Sequence, residues 1–168
     1  VAVCDPSIAQ LPVTNVTLEQ ADQYCRWLGR RLPSEIEWER AARGPENRIY
    51  PTGNTPPLPG QVNIWDQVST GGAKWPVDRP SSDITPDALL GMAGNVREWT
   101  LSLWLPYDHP EYLRSYWPDQ LAASEGFYIV RGGSFMTGPD FTRSISRNWE
   151  EAGEHSDDLG FRCLQGLP

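Results

Sequence analysis

The chain has 168 residues and a formal net charge of −8. Because nucleic acids and anionic membranes attract basic patches, this charge argues against both as the main partner. The length suits one domain spanning 1–168, and 15 Gly, 16 Pro and 8 Trp predict short elements joined by many turns. No apolar run is long enough to span a membrane and the first residues lack a signal-peptide pattern, so we expect a soluble domain without membrane insertion.

The three cysteines, Cys4, Cys25 and Cys163, form no CxxC pair, so neither a zinc ribbon nor a disulfide scaffold is indicated. Cys25 lies on the apolar face of a predicted helix. This position favours a buried free thiol, although one bridge remains possible. The two histidines, His109 and His155, lie in polar loops, which argues against a histidine metal centre.

Two short helices are predicted in the first part of the chain. Thr17 and Gln20 have capping-box spacing, apolar residues then recur at helical spacing, and Gly29 ends the run. Ser34 and Glu37 repeat the capping box, and a second helical pattern follows them up to the next glycine.

The middle of the chain reads as a long irregular loop, residues 45–82, followed by a glycine turn and a short strand. In the loop, Asn63 and Asp66 either cap turns or hold an ion. The stretch LLGMAGNVREWT (89–100) places Glu98 between the turn and a buried tryptophan. Glu98 is therefore either a buried carboxylate that accepts backbone N–H groups or a ligand of a hard cation such as Ca²⁺.

The C-terminal part predicts two strands separated by loops. FYIVRGGSF (127–135) is a strand that ends in a tight bend, and LGFRCL (159–164) alternates like a final strand. Residues 104–126 read as loop with at most one short helix near 111–116, and 136–158 read as a polar, turn-rich segment.

Six motifs in this order resemble the formylglycine-generating-enzyme (sulfatase-modifying factor) domain family: PVTNVTLEQADQYCRWLGRRLPSEIEWERAARG, YPTGN, NIW, GMAGNVREWT, VRGGSF and LGFRC. The resemblance covers about Pro12 to Cys163. It implies an irregular α+β fold of the C-type-lectin-like kind, with two short helices, small antiparallel sheets and little regular secondary structure. It also implies that the family's N-terminal hairpin region is missing, so that the chain is a fragment or a processed product.

The resemblance implies two calcium sites with oxygen ligands. The first would use the side chain of Asn63 and the carbonyl of Ile64. A further ligand would come from the loop after Trp65, either Asp66 or Ser69.

The second calcium site implied by the resemblance would use Glu98 with the carbonyls of Gly94 and Val96. Gly91 stands where the family has Asp or Asn. Because one oxygen ligand is lost, this site is expected to be weak or empty.

The resemblance also bears on catalysis, because the family's oxidases bind copper(I) through two cysteines shortly after the RGGS strand. Thr137 and Thr142 fall near those positions, and a hydroxyl is a poor copper(I) ligand. Arg97 replaces the tryptophan usual before Glu98. We therefore expect no copper and no enzyme activity. The alternative function, a copper-dependent oxidase that generates formylglycine on sulfatase cysteines, is disfavoured.

The favoured function is binding of a protein or small-molecule ligand by the C-terminal segment, because aromatic and carboxylate residues on loops of a rigid scaffold suit recognition. A second kind of partner would be the missing N-terminal portion or another domain of a longer chain. The arrangement resembles the variable proteins of diversity-generating retroelements. The competing interpretation is a solvated loop with its tryptophan packed inward. The candidate contact residues are Met136, Thr137, Phe141, Asn148, Trp149, Glu150, Glu151, Glu154 and His155.

Overall fold

The first helix, α1 (Leu18–Trp27), begins at the predicted capping box. The Thr17 hydroxyl accepts the backbone N–H of Gln20, and the Gln20 side chain accepts the backbone N–H of Thr17. Apolar residues at helical spacing then turn one side of α1 inward, where it is buried. The computed structural model that gives this fold describes four stretches of the chain, 8–65, 72–79, 83–112 and 126–165.

The second helix, α2 (Glu35–Arg43), confirms the second predicted capping box, between Ser34 and Glu37. Gly44 follows the last residue of the helix and has a φ of 63°. A Cβ at this position would lie 2.8 Å from the Pro86 side chain, so glycine is required both by the backbone conformation and by the close approach of Pro86.

In the described residues the sheet has four strands, β1 (Arg97–Leu103), β2 (Phe127–Arg131), β3 (Arg147–Glu151) and β4 (Leu159–Gly160), in the order β3-β2-β1-β4. β2 pairs antiparallel with both β1 and β3, whereas β4 pairs parallel with β1. The sheet is therefore mixed, and the expected antiparallel sheets describe only part of it.

The two helices pack on opposite faces of this sheet. The α1 face buries the main core, in which Trp99 and Tyr128 are 0% exposed and Leu101 and Val130 are also buried. The α2 face buries Trp38 with a smaller group of apolar residues. Burial of each large side chain stabilises the fold by roughly 1.5–3 kcal/mol, so these few aromatic residues dominate the packing.

Cys25 is not a free thiol, because it forms a disulfide bond with Cys163, at a Cα–Cα distance of 5.4 Å. The free-thiol expectation is wrong because the local pattern of α1 does not reveal that the end of the chain returns to this helix. Beside the bridge, Arg31 and Leu164 exchange backbone hydrogen bonds. A cross-link across a sequence separation of 138 residues restricts the unfolded chain and contributes on the order of 2–5 kcal/mol.

Two expectations for the C-terminal half require correction. The segment 136–158 is not only turns, since it contains β3, and the final strand is just the two residues of β4. The helix expected near 111–116 falls mostly outside the described residues, and residues 111 and 112 form a turn. No helix in the described part of the chain has both the length and the apolar character needed to cross a lipid bilayer.

Candidate functional site

The glycine turn before β1 docks against the loop that contains Asn63. The backbone N–H of Asn95 donates to the Asn63 carbonyl at 2.7 Å, and Asn95 has a φ of 73°. A Cβ on Gly94 would lie 2.5 Å from that same carbonyl oxygen, so only glycine permits this approach. The Asn95 side chain also exchanges hydrogen bonds with the backbone of Trp75. The turn therefore joins three separate segments of the chain.

The first expected calcium locus lies at this junction. Asn63 is buried, and its amide nitrogen donates to the Ala73 carbonyl and to the Asn95 side-chain oxygen, each at 3.0 Å. Because the nitrogen is used in this way, the Asn63 amide oxygen is the atom left to act as a ligand. Ile64 is buried beside it. Asp66 and Ser69, the alternative further ligands, lie outside the described residues.

At the second expected calcium locus, both carboxylate oxygens of Glu98 already have protein donors. Arg162 donates to them at 2.5 and 2.6 Å, and the Trp38 indole N–H donates to one of them at 2.7 Å. The same Arg162 guanidinium donates to the carbonyls of Leu90 and Gly91 at 3.1 and 3.3 Å. A cation at Glu98 would have to compete with this guanidinium, so the residues do not fit a calcium ion there.

A cavity of about 250 Å³ lies between these two loci and is lined by residues of both, including Asn63 and Glu98. Asp83 is buried in its wall and accepts the Ala93 backbone N–H with both carboxylate oxygens, at 3.1 Å. Burial raises the pKa of Asp83 to about 6, although the hydrogen bond from Ala93 and the charge of Arg162 oppose the shift.

The two threonines at the expected thiol positions stabilise local turns. Thr137 accepts the backbone N–H of Ser134 at 2.8 Å, and Thr142 donates to the Pro139 carbonyl at 2.6 Å while buried in a 3₁₀ turn, Pro139–Thr142. Both hydroxyls are thus engaged with the backbone, and neither is a copper(I) ligand by chemistry.

Arg97, the residue in place of the usual tryptophan, anchors the C-terminal segment to β1. Its guanidinium donates to both oxygens of the buried Asp158 at 3.0 and 2.9 Å, and to Glu150 on β3. Ser134 and Ser156 also donate to Asp158. Burial alone would raise the pKa of Asp158, but the hydrogen bonds and charge of Arg97 outweigh it, so this pKa is lowered.

A second arginine anchor lies on the α2 side of the sheet. Arg131 is 0% exposed and donates to Glu39 at 2.6 Å and to the Ser144 carbonyl at 2.8 Å. Arg147 on β3 makes a bidentate ion pair with Glu35 at 2.6 and 2.9 Å. These pairs fix the turn before β3 and the start of β3 to α2.

The nine candidate contact residues separate into two groups, one in the loop after β2 and one on β3 and just after it. Met136, Thr137 and Phe141 lie in the loop after β2, and Met136 is 60% exposed. The others lie on β3, which pairs with β2 along its whole length, or just after β3. Four of this second group, Trp149, Glu151, Glu154 and His155, are exposed, whereas Asn148 and Glu150 are partly buried.

Trp149 lies at the surface of β3 and is 45% exposed. Its ring packs edge to face against Phe127, with centroids 4.8 Å apart, and beside Trp104 at 6.2 Å. We call these three residues the aromatic cluster. Trp104 and Phe127 were not among the expected contact residues, because their proximity to Trp149 depends on the pairing of β2 with β1 and with β3. The alternation of FYIVR, which turns Phe127 to the same face as Ile129, was the available signal.

Sequence and structure comparisons give the chain's relatives. It is 34% identical over 167 residues to the serine/threonine-protein kinase Pkn1 of Chlamydia trachomatis, covering 98% of this chain and 26% of the kinase. It is 33% identical over 167 residues to mouse inactive Cα-formylglycine-generating enzyme 2, covering 92% and 49%. It is 32% identical over 164 residues to mouse formylglycine-generating enzyme, covering 90% and 43%.

The chain thus spans half or less of the length of these curated relatives. The fold resembles that of Treponema denticola variable protein 1, with a TM-score of 0.69 and 21% identity over 95% of this chain and 72% of that one. The profile of the sulfatase-modifying factor enzyme 1-like domain family matches residues 4–167. The chain therefore belongs to this FGE-sulfatase domain family.

Proposed function

We propose that this domain is a non-catalytic binding module whose recognition surface is centred on Trp149. The observation that carries the proposal is the aromatic cluster, in which three large rings lie side by side at the surface. A tryptophan that is 45% exposed offers a large apolar contact, and such residues are frequent anchors of binding sites. The anchors from Arg97 and Arg131 hold the surrounding segment, so little conformational entropy would be lost on binding.

The relatives are compatible with this function, since they include an inactive member of the family as well as formylglycine-generating enzyme. The fold shared with a Treponema variable protein extends the proposal to a diversified C-terminal segment. A near-copy of the coding segment for residues 136–155 close to the gene, differing at adenines, would support diversification. A flanking region without such a copy would oppose it.

The binding function is tested by panning a random peptide library against the immobilised domain. Recovered peptides should bind the wild-type domain and Trp27→Ala, but bind Trp149→Ala more weakly. Trp27 is the matched control because it is a 78% exposed tryptophan on α1, away from the aromatic cluster. Equal binding to Trp149→Ala would place the recognition surface elsewhere and overturn the proposal.

The alternative function, a copper-dependent oxidase of sulfatase cysteines, is opposed by the threonines at positions 137 and 142. The domain supplied with copper(I) should not consume the thiol of a sulfatase-type cysteine peptide. Oxygen-dependent loss of that thiol above a control without protein would restore the enzyme function.

The proposal includes a structural calcium ion at the Asn63–Ile64 loop. It includes no calcium ion at Glu98, which pairs with Arg162. Calcium that binds only the folded state should raise the melting temperature relative to chelator. Asn63→Ala should lose this difference, and Glu98→Gln should keep it. An identical melting temperature of the wild type with calcium and with chelator would exclude the ion.

A further inference from the structure

The aromatic cluster presents rings that are each about half exposed. The exposed fractions of Trp104, Phe127 and Trp149 are 41%, 42% and 45%. Phe127 and Trp149 meet at 79°, and Trp104 and Trp149 are inclined at 59°. Rings at such angles do not form a single flat surface. The faces of aromatic rings are negative, so they attract cations.

A carboxylate beside the cluster also favours a positively charged ligand. Glu151 pairs directly with Phe127 across β2 and β3, on the same face as Trp149. It is exposed and has no ion-pair partner within the described residues. The one basic residue of β3, Arg147, is already neutralised by Glu35. Among the described residues, the charge beside the cluster that lacks an ion-pair partner is therefore negative, and the whole chain has a net charge of −8.

The same part of the molecule already holds a cation on aromatic rings. The Arg147 guanidinium lies 4.4 Å from the centroid of Tyr107 and 5.6 Å from that of Tyr112. Arg147 also donates to the carbonyl of Leu105, the residue after Trp104. Tyr107 lies close to Trp104 in the sequence, and Tyr107 already binds a guanidinium of the chain itself.

We propose that the aromatic cluster and Glu151 bind a guanidinium or ammonium group carried by a basic peptide segment of a partner protein. The cation would lie against the exposed ring faces while Glu151 neutralises it. This inference rests on the proposed binding function and adds the chemical class of the ligand.

The test is a tryptophan-fluorescence titration of the whole 168-residue chain. The probe is an acetylated Gly-Arg repeat peptide, and a Gly-Gln repeat of equal length is the neutral control. The Arg peptide should bind, and the Gln peptide should bind at least several-fold more weakly. Trp149→Ala and Glu151→Gln should each weaken the binding of the Arg peptide by roughly 3- to 30-fold, the range of one cation–π or charge contact. Trp27→Ala should not change binding.

Because Glu151→Gln alters only an exposed charge, it keeps the test valid if Trp149→Ala is poorly folded. Equal binding of the two peptides, or unchanged binding of the Arg peptide to Glu151→Gln, overturns the cationic inference. Absence of Arg-peptide binding also overturns it. If neutral library peptides nevertheless bind through Trp149, the binding function stands without the cationic preference. If nothing depends on Trp149, both fail.

Discussion

The two faces of β3 carry adjacent residues with opposite roles. Glu150 points to the α1 face of the sheet, where it accepts from Arg97. Trp149 and Glu151 point to the other face, where one is 45% exposed and the other has no ion-pair partner among the described residues. One strand of five residues therefore separates attachment from display by the simple alternation of its side chains.

This difference indicates how a surface can vary without loss of the fold. The Arg97 side contains buried charges that must stay paired, so substitutions there strongly lower the free energy of unfolding. The Trp149 side faces solvent, so substitutions there change contacts with a ligand more than contacts within the chain. The comparison predicts a steep gradient of effects across neighbouring residues.

The largest effect is expected from Arg97→Met, which removes the guanidinium but keeps the length of the side chain. Among the described residues, the side chain of Asp158, which is 5% exposed, would then keep only the hydroxyl donors of Ser134 and Ser156. Loss of one partner of a buried pair costs about 3–5 kcal/mol of unfolding free energy. Urea denaturation measures this loss of unfolding free energy.

Arg48→Met is the control for this change. Arg48 pairs with Glu46 at 3.0 Å, but the Glu46 side chain is 66% exposed. Its loss should cost no more than about 1 kcal/mol, as for other solvent-exposed pairs. Equal costs for the two arginines would contradict the attachment role of Arg97.

Low pH should specifically weaken the ion pairing on the Arg97 side of β3. Because the pKa of Asp158 is lowered, its stabilisation is present above its ordinary value of 3.8 and is lost as pH falls through the folded-state pKa. Asp83 acts oppositely, since its pKa of about 6 means stabilisation that is present at low pH and lost as pH rises through about 6. The melting temperature should therefore rise with pH up to about 3.8, the ordinary value of both carboxyl groups, and fall from there towards about 6.

Two variants separate these arms of the pH profile. Asp158→Asn should flatten the acid arm, and Asp83→Asn should flatten the decline towards neutral pH. If the melting temperature of Asp158→Asn varied with pH as that of the wild type does, the stabilisation by Arg97 would not depend on this carboxylate.

The sequence predicted the elements whose signals are local. Thr17 with Gln20 and Ser34 with Glu37 define helix starts through contacts three residues apart, and both capping boxes are present. The run FYIVR predicted β2 from its β-branched and aromatic residues. Motif order predicted the family, because six motifs in sequence constrain a fold more than any one of them.

Features that depend on distant pairing could not be predicted. β3 has the sequence RNWEE, which is polar because β3 is an edge strand with one face in water, so it read as a turn. The Cys25–Cys163 bridge and the Arg162–Glu98 pair join residues 138 and 64 positions apart. The aromatic cluster likewise exists only once β2 and β3 are in register.

Trp149→Ala should have an intermediate effect on stability. Trp149 pairs with the buried Ile129 and contacts two rings, yet it is 45% exposed. We expect a loss of about 1–2 kcal/mol, the scale of one or two aromatic contacts. Trp27→Ala, at 78% exposure, should remain within about ±0.5 kcal/mol. A loss of about 3–5 kcal/mol for Trp149→Ala would identify a core residue and move the display role towards Met136 and Phe141.

The smallest and sharpest comparison is between Glu150→Gln and Glu151→Gln, which remove one charge each from neighbouring residues without a change of size. Glu150→Gln should cost about 1 kcal/mol, because the ion pair with Arg97 is partly exposed and screened by water. This cost should vanish in the Arg97→Met background, where the partner is already gone. Glu151→Gln should stay within about ±0.5 kcal/mol in either background. Denaturation of these four variants and their parents measures the difference directly. A cost for Glu151→Gln that equals that of Glu150→Gln would mean that Glu151 is held by the fold, and the division of β3 into an attached face and a displayed face would then be wrong.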